Sequence, residues 1–173
     1  MSVGRLKELI RDVPDFPKPG ILFKDITPLL ANPAGLALAV ELMANPFRGS
    51  GIDLVAGAES RGFIFGTAVA QALSCGFVPI RKAGKLPPPV RSHRYQLEYG
   101  SDTLEVRDHV AHAGCRVLMV DDLLATGGTM QACADLIRQT GASVIGATVL
   151  IELLALKGRA ALPGHEIPAP NQY

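Results

Sequence analysis

Apolar residues recur at helical spacing at the start of the chain, where Leu6, Leu9 and Ile10 stand among Arg5, Lys7, Glu8, Arg11 and Asp12. The pattern predicts an amphipathic helix over residues 2–12. Pro14, Pro17, Pro19 and Gly20 forbid its continuation, so an irregular connector is expected next. Asn32 followed by Pro33 reads as an N-cap with proline at the first helical position, opening a helix that carries Leu36, Val40, Leu42 and Met43 and closes before Pro46. Residues 52–56, 77–80 and 117–120 are short apolar runs of strand length, and residues 143–151 make a fourth. Residues 62–73 and 129–140 have the small, apolar and one-faced patterning of crossover helices.

Strands alternating with helices in this order imply an α/β fold, a parallel central sheet with helices on both faces and right-handed crossovers. A ligand is then expected at the C-terminal ends of the strands. Residues 82–92 fit no element: Gly84, the Pro87-Pro88-Pro89 run and two lysines have the composition of an exposed, flexible loop. Residues 95–99 and 103–106 flank Gly100 and read as a short antiparallel pair, while the proline-rich residues 163–173 are left unassigned.

Composition narrows the class. A length of 173 residues predicts one domain, and 48% hydrophobic with 19% charged residues is ordinary globular usage. The formal charge of +1 argues against a dedicated nucleic-acid binder, so any anion site must be local. Cys75, Cys115 and Cys133 match neither a zinc ligand pair nor a redox motif and read as reduced thiols. With no signal-peptide core and no run of apolar residues long enough for a membrane span, the cytoplasm is the expected location.

The strongest chemical signal is the run Val117-Leu118-Met119-Val120-Asp121-Asp122-Leu123-Leu124-Ala125-Thr126-Gly127-Gly128-Thr129. A buried strand leads into two carboxylates and then into a turn of glycines and hydroxyls that opens a helix. Such a turn lets several backbone N–H groups converge on one phosphate, with Thr126 and Thr129 as added donors. Two acids cannot bind that phosphate, but they can accept hydrogen bonds from sugar hydroxyls. Together they predict a ribose-5-phosphate cradle. A second loop, Gly57-Ala58-Glu59-Ser60-Arg61-Gly62, has the glycine spacing of a nucleotide-binding P-loop, yet Phe63 stands where that motif needs lysine. From Ser60 through Leu97 the chain holds no acid, while Arg61, Arg81, Lys82, Lys85, Arg91 and Arg94 fall inside, which supplies a local anion field.

The acid-and-glycine run resembles the phosphoribosyl-diphosphate (PRPP) motif of the type I phosphoribosyltransferases. Further blocks resemble the adenine-using branch of that family: residues 16–26 (Phe-Pro-Lys-Pro-Gly-Ile-Leu-Phe-Lys-Asp-Ile), 60–63 (Ser-Arg-Gly-Phe), 81–87 (Arg-Lys-Ala-Gly-Lys-Leu-Pro) and 95–100 (Tyr-Gln-Leu-Glu-Tyr-Gly). The likeness runs in order over residues 13–157. It departs in the stiff Pro88-Pro89 pair and in Lys24, where many members carry arginine.

The resemblance implies the type I phosphoribosyltransferase fold with residues 1–32 as an N-terminal base-binding hood, and transfer of the phosphoribosyl group of PRPP to adenine. It implies PRPP on Asp121, Asp122, Ala125, Thr126, Gly127, Gly128 and Thr129, and pyrophosphate on Glu59, Ser60, Arg61, Lys82 and Lys85. The Glu59-Ser60 peptide would be cis. Leu22, Phe23 and Lys24 would receive adenine, with Phe23 stacking on the ring and backbone groups reading its edge. Glu98 would take the purine proton. Mg²⁺ would be held mainly by PRPP, with no protein cage, and the assembly would be a homodimer without nucleic-acid or membrane partners. Two alternatives stay open: a sister transferase for another nucleobase, and a PRPP-sensing binding protein.

Overall fold

The computed structural model describes residues 3–96 and 100–173. The first helix, α1 (Val3–Glu8), buries Leu6 as its apolar stripe requires, but it stops short of Asp12. Arg11–Pro14 instead forms β1, paired antiparallel with β2 (Leu22–Asp25). The segment expected to be an irregular connector is therefore a two-stranded hairpin followed by the short helix α2 (Thr27–Leu30). Its prolines sit in or beside the turn and at a strand end, places where a missing N–H is tolerated. Helix α3 (Pro33–Ala44) begins as expected, with the Asn32 side chain accepting a hydrogen bond from the Gly35 amide at 2.9 Å.

The remaining elements are β3 (Leu54–Ala58), α4 (Arg61–Leu73), β4 (Gly76–Lys82), β5 (Val90–Gln96), β6 (Ser101–Arg107), β7 (Arg116–Leu124), α5 (Gly128–Gln139), β8 (Ser143–Glu152) and β9 (Asn171–Gln172). The main sheet has the order β5-β6-β4-β3-β7-β8-β9. Strands β4, β3, β7 and β8 run parallel, as predicted, and β9 joins them in the same sense. The β5–β6 hairpin pairs antiparallel with the end of β4, through Arg81 opposite Glu105 and Lys82 opposite Leu104. This corrects the loop expected at residues 82–92, because Lys82 closes β4 and Val90 already opens β5, leaving 83–89 as the connection. The unassigned tail ends as β9, added to the edge of β8.

Strand β7 shows why its sequence is almost continuously apolar. Val117 and Met119 join a core under α5 with Val78, Ile80, Leu136 and Ile137. Leu118 and Val120 face the other way and pack with Leu29, Met43, Phe65 and Val69 from α2, α3 and α4. Alternate residues thus serve opposite faces, both covered by helices. The chain leaves β3 toward β4 on one side and β7 toward β8 on the other, so the ends of β3 and β7 form the topological switch point of the sheet.

Candidate active site

A cavity of about 260 Å³ opens at that switch point, lined by Glu59, Ser60 and Arg61 after β3 and by residues 121–130 at the end of β7 and the start of α5. Two glycines bring its walls together. A Cβ on Gly57 would lie 2.8 Å from the Gly62 carbonyl oxygen, and one on Gly62 would lie 3.0 Å from Asp121 Oδ1. Larger residues would push the loop after β3 away from the acids of β7. The Glu59-Ser60 peptide is cis, at the bond singled out by the resemblance.

The acids belong to β7 itself, which continues four residues beyond the apolar run. Asp122 is buried and receives the Arg61 guanidinium, Nε to Oδ2, at 2.9 Å. Asp121 Oδ1 accepts the Asp122 amide at 2.9 Å. Burial raises the Asp121 pKa well above the ordinary carboxylate value, and the neighbouring Asp122 charge adds to the rise. Burial raises Asp122 as well, against the pull of Arg61. Carboxylates so placed are good acceptors for hydroxyl donors and poor hosts for an anion. A turn of different chemistry lies next to them: Gly127 takes φ +85° as the N-cap of α5, and residues 125–129 turn there into the cavity wall. Backbone N–H groups at the start of a helix, with hydroxyls of Thr126 and Thr129 nearby, suit a phosphate.

On the other flank, Glu59 collects cations. Its carboxylate accepts from Arg81 Nε at 3.1 Å, from the Lys82 amide at 3.0 Å and from Lys85 Nζ. Burial works to raise the Glu59 pKa, but these donors, Lys85 first, outweigh it and hold the group below its ordinary value. Lys82 Nζ instead pairs with Asp102 at 3.0 Å, which lowers Asp102. Among the expected pyrophosphate residues, Ser60 and Arg61 line the cavity, Lys85 reaches it through Glu59, and Lys82 points to Asp102. Glu59 lines the cavity too, and its side chain faces these cations and so organises that flank.

The N-terminal hairpin meets the site through Phe23. The Phe23 ring meets Phe16 edge-on at 5.1 Å between centroids, and the Arg61 guanidinium lies 5.3 Å from the Phe23 centroid. Leu22 is half exposed beside it. Lys24 is buried, and its ammonium turns to Asp12 Oδ1 at 2.6 Å and to the Tyr173 ring at 3.7 Å, so its side chain serves the hairpin and leaves only its backbone for a ligand. Glu98 lies outside the described residues. Asp102 and Tyr173 were missed in the sequence, since each gains its place through a partner from a different element, Lys82 for Asp102 and Lys24 for Tyr173. Among the described residues, no cluster of three or more His, Cys, Asp or Glu could hold a metal, and no helix is long and apolar enough to cross a membrane.

An acid pair beside a glycine-threonine turn, at the switch point of a parallel sheet, defines a protein that binds sugar phosphates in the manner of a phosphoribosyltransferase. Comparisons with known proteins agree. The phosphoribosyl transferase domain family matches residues 25–162. An adenine phosphoribosyltransferase of Methylococcus capsulatus is 56% identical over 99% of this chain and 100% of its own. The crystal structure of adenine phosphoribosyltransferase from Thermoanaerobacter pseudethanolicus superposes with a TM-score of 0.96 at 45% identity, covering 99% of this chain and 100% of that one. The Saccharomyces cerevisiae enzyme, solved with adenine and an imino-altritol bisphosphate, gives a TM-score of 0.91 at 38% identity over 97% of each chain. The chain belongs to the phosphoribosyltransferase family, in its adenine phosphoribosyltransferase branch.

Proposed function

We propose that the chain transfers the 5-phosphoribosyl group of PRPP to adenine, giving AMP and pyrophosphate in purine salvage. The observation that carries this reading is the cavity at the ends of β3 and β7, where sugar-hydroxyl acceptors and a phosphate turn lie side by side. In it the 5-phosphate rests on Ala125, Thr126, Gly127, Gly128 and Thr129, and the ribose hydroxyls donate to Asp121 and Asp122. Pyrophosphate lies toward Ser60 and Arg61, with Lys85 and Lys82 drawn from their carboxylates as it binds. Adenine enters under the hairpin against Phe23, its edge met by backbone groups near Leu22 and Lys24. Residues 1–32 then act as the base-binding hood of a single transferase domain, and Glu98 takes the proton that the purine loses.

Catalysis on this reading is positioning and electrostatic stabilisation of a cation-like ribose, with water excluded by the connection 83–89. Mg²⁺ fits the donor chemistry, since Asp121 and Asp122 offer the one or two hard carboxylates that this ion takes beside substrate phosphates. When bound, it would neutralise charge on the departing pyrophosphate. The working form is a homodimer in the cytoplasm, acting on small molecules alone.

The test is pyrophosphate release that depends on PRPP, measured with adenine, hypoxanthine, guanine and orotate in turn. Adenine should be used far ahead of the others, because a site built for one purine edge leaves buried groups unpaired with another. Comparable turnover with a different base would make the chain a sister transferase, and PRPP binding without release would make it a sensor. Glu98→Gln should lower the single-turnover rate roughly 10²–10⁴-fold, the contribution of a positioned proton acceptor.

A further inference from the structure

An ion pair between a buried carboxylate and a half-exposed arginine stands outside the cavity, behind the phosphate turn. Glu152 ends β8, opposite Leu124 of β7, the residue after which the turn begins. Its side chain is 3% exposed and is held by Arg159 in a fork, Nε to Oε1 at 2.7 Å and a terminal nitrogen to Oε2. Gln172 of β9 donates to Oε2 at 3.2 Å, and the Tyr173 amide donates to the Glu152 carbonyl at 3.0 Å. Both oxygens of this carboxylate are thus tied to named parts of the fold. Two planar groups joined by two hydrogen bonds fix orientation as well as distance.

What the fork orients is the 3-10 turn Gly158–Ala161 that contains Arg159. That turn touches the phosphate turn without a gap. A Cβ on Gly158 would fall onto the Ala125 carbonyl oxygen and lie 2.8 Å from Leu124 Cγ. One on Gly127 would fall onto the Gly158 carbonyl oxygen and the Ala161 methyl. The backbone of residues 125–127 is therefore pressed between the cavity and the 158–161 turn. Neither Glu152 nor Arg159 lines the cavity.

We propose that Glu152 and Arg159 are positioning residues for the phosphate site: their ion pair, anchored by Gln172, sets the 158–161 turn against Gly127 and so fixes where the N–H groups of the phosphate turn point. The proposal rests on the reading of residues 125–129 as the 5-phosphate site. It gives the C-terminal strand β9 a part in substrate affinity, although β9 lies at the far edge of the sheet from the hairpin β5–β6.

Two variants test it in the full chain. Arg159→Lys keeps the charge beside Glu152 but loses the fork, which guards against unfolding. Glu152→Gln combined with Arg159→Gln removes both charges and leaves no unpaired one. Ribose 5-phosphate binding by calorimetry, thermal melting, and steady-state KM for PRPP and adenine are measured for each. The expected result is a KM for PRPP and a ribose 5-phosphate Kd raised roughly 10–100-fold, the scale of a slight misplacement transmitted from a distance. The KM for adenine should stay near wild type. A merely structural role would lower the melting temperature and leave both affinities in place, and that result overturns the proposal. If wild type itself binds no ribose 5-phosphate, the phosphate-site reading falls and the brace falls with it; if wild type binds and both variants bind equally well, the brace alone is refuted.

Discussion

Replacing Gly127 with alanine separates what the phosphate turn costs the fold from what it does for a ligand. Gly127 adopts φ +85°, where a Cβ is strained whatever the space around it, at about 1 kcal/mol relative to glycine. The added methyl would also overlap the Gly158 carbonyl and the Ala161 methyl. These are backbone and a one-carbon side chain, neither able to swing aside, so the turn must move at a further cost of about 1–3 kcal/mol. The sum of about 2–4 kcal/mol lowers the melting temperature by roughly 5–15 °C for a chain of this size. Gly128→Ala is the control. Its Cβ would meet nothing nearer than Thr126 Oγ1 at 3.9 Å, and its φ lies outside the left-handed range. That variant should melt like wild type, yet bind PRPP poorly because its methyl stands at the wall of the anion cavity. Differential scanning calorimetry with PRPP titration reads both. A Gly127→Ala protein that melts with wild type would refute the packing argument, and a Gly128→Ala protein with unchanged PRPP affinity would refute the location of the phosphate.

Three further outcomes are expected. Asp121→Asn should stabilise the ligand-free protein at pH 7 by about 0.5–2 kcal/mol while weakening PRPP binding, the trade-off of a functional buried charge. Its sign follows from linkage: the folded pKa of Asp121 is raised, so its stability contribution is intact below the unfolded value and lost as pH rises, and the gain in the variant should vanish below about pH 4. Glu59→Gln should behave oppositely. The folded pKa of Glu59 is lowered, so its contribution is present above the ordinary carboxylate value, and the variant should be less stable at pH 7 with the difference closing in acid. Asn32→Ala removes the cap on α3 and should cost about 1 kcal/mol in urea unfolding, with substrate KM values unchanged.

The parallel strands and the long helices were legible because each satisfies a local period. Both acids, the glycine turn and the Glu59-Ser60 loop, which line one cavity, were legible because the segment that leaves each strand end is contiguous in sequence. The hairpin β1–β2 was not, since Arg11–Pro14 takes strand form only by pairing with residues beyond a proline-rich turn. Lys24 illustrates the same limit for a side chain. Its block pointed to the base site, whereas its ammonium is claimed by Asp12 and by Tyr173 at the other end of the chain. The strand β9 was hidden for a related reason: two residues next to Pro168 and Pro170 carry no period, and only the open edge of β8 makes them a strand.

The site has cations at hand although the chain is nearly neutral. Each cation that the sequence offered toward pyrophosphate already has a carboxylate: Arg61 has Asp122, Lys82 has Asp102, and Lys85 has Glu59, which it shares with Arg81. An unpartnered cluster of these groups would repel itself and spread into solvent, and the connection 83–89 would lack a defined approach to the cavity. Pairing holds the cations within reach at little net field, which agrees with a formal charge of only +1. On the proposed reading, PRPP binding is then an exchange of partners. Multiply charged phosphate oxygens replace single carboxylates around Lys85 and Lys82, while Arg61 remains between Asp122 and the Phe23 ring. Because Glu59 and Asp102 each give up a charge-assisted hydrogen bond in that exchange, a singly charged anion gains too little to displace them. Selectivity for a diphosphate over a singly charged anion therefore follows from the carboxylates of the site as much as from its cations.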